Sequence, residues 1–305
     1  METRPEASLT ESEVLALVSS CSNTGRWGPD DELGTLNLIT PARRRRAAAL
    51  VREGVTVSLG KDIDVRQSAV NPRPAWHVMH HESDRPYASA DSIHLQVHGY
   101  ASTHVDALSH MFLDGIGYNG RRQADVVGND GVRASGVRVM RSGIVGRGVL
   151  LDVAAAAGLP WLQPGSFIGP DLLDAAEARA GVTVGAGDVV IVHTGLEARE
   201  AVQGPEDPED RAGLDAACLP WLWERDVAVY SGDCIEAIPQ PYLRIPMPLH
   251  QIGLAVMGLV LVDCPTLVEL VAACRRFGRH DVLFIAAPLS LPGGTGSPVN
   301  PIAVF

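Results

Sequence analysis

Two periodicities run through the chain. Residues 11–20 (ESEVLALVSS) and 171–181 (DLLDAAEARAG) carry apolar positions at helical spacing, the second closed by Gly181. A further helix is expected around Leu214 to Arg225, and another over 265–278 (PTLVELVAACRRFG), with proline early and glycine at its end. Compact apolar runs of strand length occur at 148–154 (GVLLDVA), 188–195 (DVVIVHTG), 227–233 (VAVYSGD), 258–263 (GLVLVD) and 281–289 (DVLFIAAPL). SIHLQVH, residues 92–98, alternates and predicts one more strand. Strands and helices mix throughout, so the class is α/β. The irregular, β-rich stretch before residue 145 argues against a purely doubly wound sheet. Arg66 to Ala88 is polar and rich in proline and histidine, which predicts a long loop; loops of that length in compact domains are usually functional lids or arms.

Composition narrows the function classes. Hydrophobic residues make up 46% of the 305 positions and charged residues 20%, enough for a real core. The net charge of -11 is the wrong electrostatic footprint for nucleic acid. The one arginine run, Arg43 to Arg46, follows Thr40-Pro41 and reads as a solvated helix face behind an N-cap. No leader-like segment opens the first thirty residues, and no apolar run approaches the roughly 18 to 20 residues of a membrane span, so neither a leader nor a membrane partner is expected. Five scattered cysteines without a CxxC pair fit free thiols in a cytoplasmic protein. Lys61 is the only lysine, which nearly excludes Schiff-base chemistry.

Two glycine-rich stretches are decoys. GIGYNG (115–120) matches G-x-G-x-x-G but lacks the strand, helix and downstream acid of a dinucleotide site, so it reads as a turn. PGGTGSP (292–298) has no following Lys-Ser/Thr and is no P-loop. No G-x-S-x-G elbow is present.

The chemistry concentrates in HGYASTHVDALSHMF, residues 98–112, which holds three of the ten histidines and an aspartate. On an extended strand His104 and Asp106 share a face, and His98 and Tyr100 join them if the strand stays regular. His110, four residues after Asp106, can curl back over the same pocket. An imidazole and a carboxylate on one face suit a divalent ion such as Zn or Mn. Further ligands must come from elsewhere; the candidates are His250, Asp263, and Asp233 with Glu236 in SGDCIE. His193, in an apolar strand, reads as a satisfied core histidine. His77, His80 and His81 sit in the long loop, where they are candidates to line a substrate cavity.

With these residues in order, the chain resembles the cyclase superfamily of metal-dependent hydrolases, which includes bacterial kynurenine formamidases, isatin hydrolases and trans-dienelactone hydrolase. The resemblance spans nearly the whole chain: RWGPDDELGTLNLITP, THVDALSHMF, SGDCIE, PLHQIGLAVMGLVLVD and APLSLPGGTGSPVNPIA follow in the expected order. It implies a swivelling β/β/α domain with a small barrel-like sheet and flanking helices, one such domain over residues 1–305 with an N-terminal arm over about 1–55. It implies His104 and Asp106 as metal ligands, His110 as the proton shuttle, and His250 with Asp263 at a second metal position. The chain departs from the motif at Tyr100, where the first motif histidine falls, at Ser102, and at Asp263, where glutamate is usual. His98 replaces the missing ligand if the chain bulges between 98 and 103; on an extended strand the Tyr100 hydroxyl is expected to contact a metal-bound water or the substrate carbonyl, and after a bulge the ring packs in the core instead. The implied activity is hydrolysis of a cyclic amide, lactone or N-formyl amide of a small molecule. The alternatives are a ring-forming cyclase or lyase of secondary metabolism on the same site, or a metal-poor homologue. A homodimer or homotetramer is expected.

Overall fold

The computed structural model describes residues 7–80 and 87–305. Its centre is one curled nine-stranded sheet. In chain order the strands are β1 (Thr56–Ser58), β2 (His104–Asp106), β3 (Ile144–Asp152), β4 (Val189–His193), β5 (Val229–Gly232), β6 (Val260–Asp263), β7 (Asp281–Ala286), β8 (Gly296–Pro298) and β9 (Ile302–Val304). Their order across the sheet is β1-β9-β7-β3-β4-β5-β6-β2-β8. The middle four, β3 to β6, run parallel, and both flanks are antiparallel.

The parallel strands are the compact apolar runs of the sequence. Every residue of β4, β5 and β6 is buried, as expected when helices cover both faces of a parallel sheet. Helical segments cross between them: α3 (Pro170–Ala180) lies between β3 and β4, α4 (Leu196–Gln203) and α5 (Cys218–Glu224) between β4 and β5, and α6 (Pro248–Ile252) between β5 and β6. The helix α7 (Val268–Phe277) ends at Gly278 and α3 at Gly181, both left-handed, where only glycine avoids a Cβ penalty. At the N-terminus, α1 (Glu11–Ser20) opens on a Thr10–Glu13 capping box, and α2 (Pro41–Ala48) on Thr40 with proline in its first turn. Three of the four arginines of α2 are exposed, so the arginine run is a solvated face, as its pattern predicts.

The segment between α1 and α2 lies on its own chain. Thr35 Oγ1 donates to the carbonyls of Ala228 and Gly258, and Arg26 pairs with Asp226 at 2.6 Å. A Cβ at Gly34 would stand 2.2 Å from the Gly258 carbonyl oxygen, so the segment approaches the sheet as closely as it does only because residue 34 is glycine. The stretch Trp27 to Leu38 thus makes these contacts within its own subunit.

Three expectations change. The strand expected over 92–98 ends at His94; it is the second strand of a separate hairpin, Ala90–His94 paired with Trp76–His80. The first of those strands falls inside the stretch expected to be loop. All of Ala90–His94 is exposed, so the alternation in SIHLQVH matches no core face. Helix α7 begins at Val268, later than the sequence suggests; residues 265–267 are irregular, and Glu197 accepts from the Leu267 and Val268 amides at the helix start. GIGYNG is a turn, with Gly115, Asn119 and Gly120 at positive φ. The five cysteines are buried and unpaired. No helix among the described residues is long and apolar enough to cross a membrane.

Candidate metal centre

The short strand β2 is buried throughout and sandwiched between β6 and β8. Its pleat places His104 and Asp106 on one face, as the two-residue period requires. The antiparallel register sets Asp263 directly opposite His104, so the last residue of β6 reaches the same face. Beyond β2 the chain turns through a bond from the His110 amide to the Ala107 carbonyl at 2.8 Å, which returns His110 over the strand. His250 arrives from α6, where burial surrounds it.

Two of the positions placed by the sequence need the tertiary structure. The strand begins at His104, so the regular alternation does not extend to residue 98 or 100. His98 nevertheless enters the cluster: its Nδ1 lies 2.8 Å from Asp106 Oδ1, and its ring stacks on His110 with centroids 3.6 Å apart and planes 3° from parallel. The irregular turn from 98 to 103 delivers it, as the bulge expectation required. Tyr100 goes elsewhere. Its ring lies against the Arg211 guanidinium, 3.8 Å from centroid to carbon, instead of sharing a face with His104 and Asp106. The reason is local: the chain is not extended there, and Gly99 sits at φ +127.

Asp106 is the centre of the cluster. Its Oδ1 meets His98 at 2.8 Å and His104 Nε2 at 3.4 Å, and its Oδ2 lies 3.7 Å from His250 Nε2. Asp106 is fully buried, and Oδ2 has no hydrogen-bond partner. Burial alone would raise this carboxyl, but His104, His98, His110 and His250 around it hold it far below the usual carboxylate range. A buried carboxylate oxygen with no donor is costly unless a cation takes its lone pairs. His98, Asp106 and His110 each offer one ligand atom, all within 4.8 Å of one another. The donor set of imidazoles and carboxylates fits a divalent ion.

Several contacts orient these donors. His104 Nδ1 donates to the Ser102 carbonyl at 2.9 Å, leaving Nε2 to face Asp106. His250 Nδ1 is hydrogen-bonded to Glu236, which also accepts from the Leu249 amide at 2.7 Å. Burial would push the His250 imidazole down; Glu236, Asp263 and Asp106 hold it well above its ordinary value. Asp263 Oδ2 stands 3.8 Å from His250 Nε2, while its Oδ1 accepts from the Cys264 thiol at 3.2 Å. Burial pushes His110 down to about 4 against the opposing pull of Asp106, so the ring is neutral near pH 7.

Some contributors were not singled out by sequence. Thr295 Oγ1 lies 2.9 Å from His98 Nε2, and a Cβ at Gly296 would meet the His98 ring at 2.6 Å. The glycine-rich stretch PGGTGSP thus seats a histidine rather than a phosphate. Glu236, one of the candidate ligands, serves as the partner of His250. Asp233 instead caps the start of α4 through the amides of Thr194 and Leu196. His193 is paired with Asp152 at 3.0 Å, a satisfied core histidine. His77 and His80 are exposed on the hairpin, bonded to Asp91 and Ser92; His81 lies outside the described residues.

Comparison with known proteins bears on the family and the fold. A family model described as putative cyclase matches residues 48–237, more than half the chain. A crystal structure described as a novel cyclase is 31% identical, superposes with a TM-score of 0.84, and covers 93% of this chain and 99% of its own. Isatin hydrolase A from Labrenzia aggregata, bound to benzyl benzoate, is 19% identical with a TM-score of 0.60, over 84% of this chain and 94% of its own. A predicted metal-dependent hydrolase from Bacillus stearothermophilus is 15% identical with a TM-score of 0.50, over 82% and 97%. The last two show likeness of fold. No curated protein matches the chain. By the extent of the family match and the identity to the first of these structures, the chain belongs to the putative cyclase family.

Proposed function

We propose that the protein is a metal-dependent hydrolase that opens a cyclic amide, lactone or N-formyl amide of a small molecule. The observation that carries this reading is the buried, unpartnered Oδ2 of Asp106 at the meeting point of four histidines. His98, His104, Asp106, His250 and Asp263 would hold a divalent ion, Zn or Mn by their chemistry. Such an ion, when bound, polarises a carbonyl and lowers the pKa of water toward about 7.

The remaining work falls to the chain. His110 is neutral near pH 7, and no protein hydrogen bond engages its ring nitrogens among the described residues. It accepts the proton of the attacking water and returns it to the leaving nitrogen or oxygen. Stacking on His98 fixes the plane of its ring. Burial of β2 and its neighbours excludes competing water from the inner side of the cluster. Hydrolysis is favoured over ring closure by fold likeness to isatin hydrolase and to a predicted metal-dependent hydrolase.

The test is a metal measurement joined to a substrate screen. Purified protein supplemented with Zn or Mn should retain the ion, lose it on chelation, and turn over at least one of isatin, an N-formyl amide or a lactone with a mass gain of one water. Metal-supplemented protein that retains no divalent ion would sink the reading.

A further inference from the structure

One aromatic side chain lines two neighbouring cavities, the first of which reaches the cluster. The first, of about 260 Å³, opens at His98 and is also lined by Arg73, Gln96 and Pro208. The second, of about 430 Å³, is lined by Lys61, Glu197, Glu200 and Glu206. Tyr100 lines both, with Val70, Asn71 and Ala101. It is the largest of the four shared side chains.

Tyr100 is fixed rather than hinged. The Arg211 guanidinium lies over the Tyr100 ring at 3.8 Å. Arg211 is itself 3% exposed, paired with the buried Glu206 at 3.0 Å, and donates to the Asp233 carbonyl at 3.2 Å. Its amide is tied to the Ile238 carbonyl at 2.9 Å. On the other side, Lys61 Nζ donates to the Tyr100 carbonyl at 3.4 Å. Both ring and backbone of residue 100 are thereby held, on a turn only two residues beyond His98.

We propose that Tyr100 is the specificity-determining residue of the candidate site and that Arg211 is the positioning residue that holds it. The ring closes the back of the chamber beside His98 and limits the substrate to a small group of about single-ring size. The chamber lies below the roughly 300–1,000 Å³ of pockets that take drug-sized ligands. Removing the ring joins the chamber to the larger acidic cavity and lets a longer substrate enter. That the chamber holds substrate rests on the hydrolase reading; the wall itself does not depend on turnover.

Binding of benzamide and 4-butylbenzamide to the metal-supplemented protein, read by calorimetry, tests the proposal without needing a reaction. The wild type should prefer benzamide by at least about tenfold, because a filled pocket has no room for the added chain. Tyr100→Phe keeps the ring and should keep that preference, as the hydroxyl takes no part. Tyr100→Ala should reduce the preference to about threefold or less, and Tyr100→Leu supplies the same comparison if the alanine variant does not fold. The double variant Arg211→Met with Glu206→Gln removes the clamp without stranding a buried charge and should fall between. A preference unchanged in both Tyr100→Ala and Tyr100→Leu overturns the proposal, as does equal binding of both probes by the wild type. If the preference collapses as expected while no amide or lactone is turned over, the hydrolase reading fails and the wall stands.

Discussion

Two His–Asp pairs at strand ends, His193 with Asp152 and His98 with Asp106, differ in one respect that separates structure from chemistry. Asp152 closes β3 and meets His193, its neighbour in register on β4, at 3.0 Å. Its Oδ1 also accepts from the Ala155 amide at 3.1 Å, and its Oδ2 from Arg275 at 3.5 Å. Every acceptor position of that carboxylate has work within the protein. Asp106 meets His98 at 2.8 Å in much the same way, yet its Oδ2 is left with no donor in a fully buried setting. Of its neighbours, His110 is depressed to about 4 by burial, while His250 is held well above its ordinary value by the carboxylates around it. A satisfied pair stabilises the fold; a pair with an unused, buried lone pair is prepared for something the protein does not itself contain.

Substitution at the two aspartates should show the sharpest contrast. Asp106→Ala should remove both bound metal and activity, while Asp152→Ala should leave metal content and turnover intact. The latter should instead lower unfolding stability by about 1–3 kcal/mol, the cost of leaving a buried donor unpaired. Metal analysis and denaturant unfolding of the pair of variants check this, and a metal-free Asp152→Ala would erase the distinction. Within the cluster, His110→Ala should keep the metal yet lose about 10² to 10⁴ in turnover, the range of general acid–base catalysis. His104→Ala should lose both, and equal metal loss in the two variants would move His110 into the ligand set.

Smaller effects probe the supports. Glu236→Gln should weaken metal binding by about 10- to 100-fold, because the partner that orients His250 changes charge while the fold is retained. Gly296→Ala should displace the His98 ring and raise the metal dissociation constant, with little change at the His193 pair. The smallest effect is a pH dependence of the structural pair. Burial would lower His193, but Asp152 and Asp233 hold it above its ordinary value. A raised folded value means that its contribution to stability is fully present below an unfolded pKa of about 6.5 and is lost as pH rises through the folded one. The stability difference between wild type and His193→Gln should therefore be largest just below pH 6.5 and shrink on the alkaline side. A difference that grows with pH would contradict the pairing.

The parts of this molecule that were legible in sequence are those governed by short-range rules. The buried strands β4, β5 and β6 are apolar runs whose burial on both faces leaves little room for polar residues. The ends of α3 and α7 are marked by glycines that only a left-handed C-cap uses. His104 and Asp106 share a face because the pleat has a period of two. Of the hairpin, Ala90–His94 was legible in part through the alternation of SIHLQVH, whereas Trp76–His80 was not, because it rests on no core face that would write a burial pattern into it.

By itself the sequence determined the α/β class, the sheet's central strands, the His104–Asp106 pair and the family resemblance, since local pattern and motif order need no partner. Only the tertiary structure decided what meets that pair. The antiparallel register brings Asp263, 157 residues beyond Asp106 in sequence, opposite His104. An irregular turn carries His98 in and turns Tyr100 toward Arg211, and Thr295 and Gly296 seat the His98 ring. These depend on strand register and on side-chain volume across the fold, and residues that meet only through such long-range packing leave no spacing in the chain from which to read them.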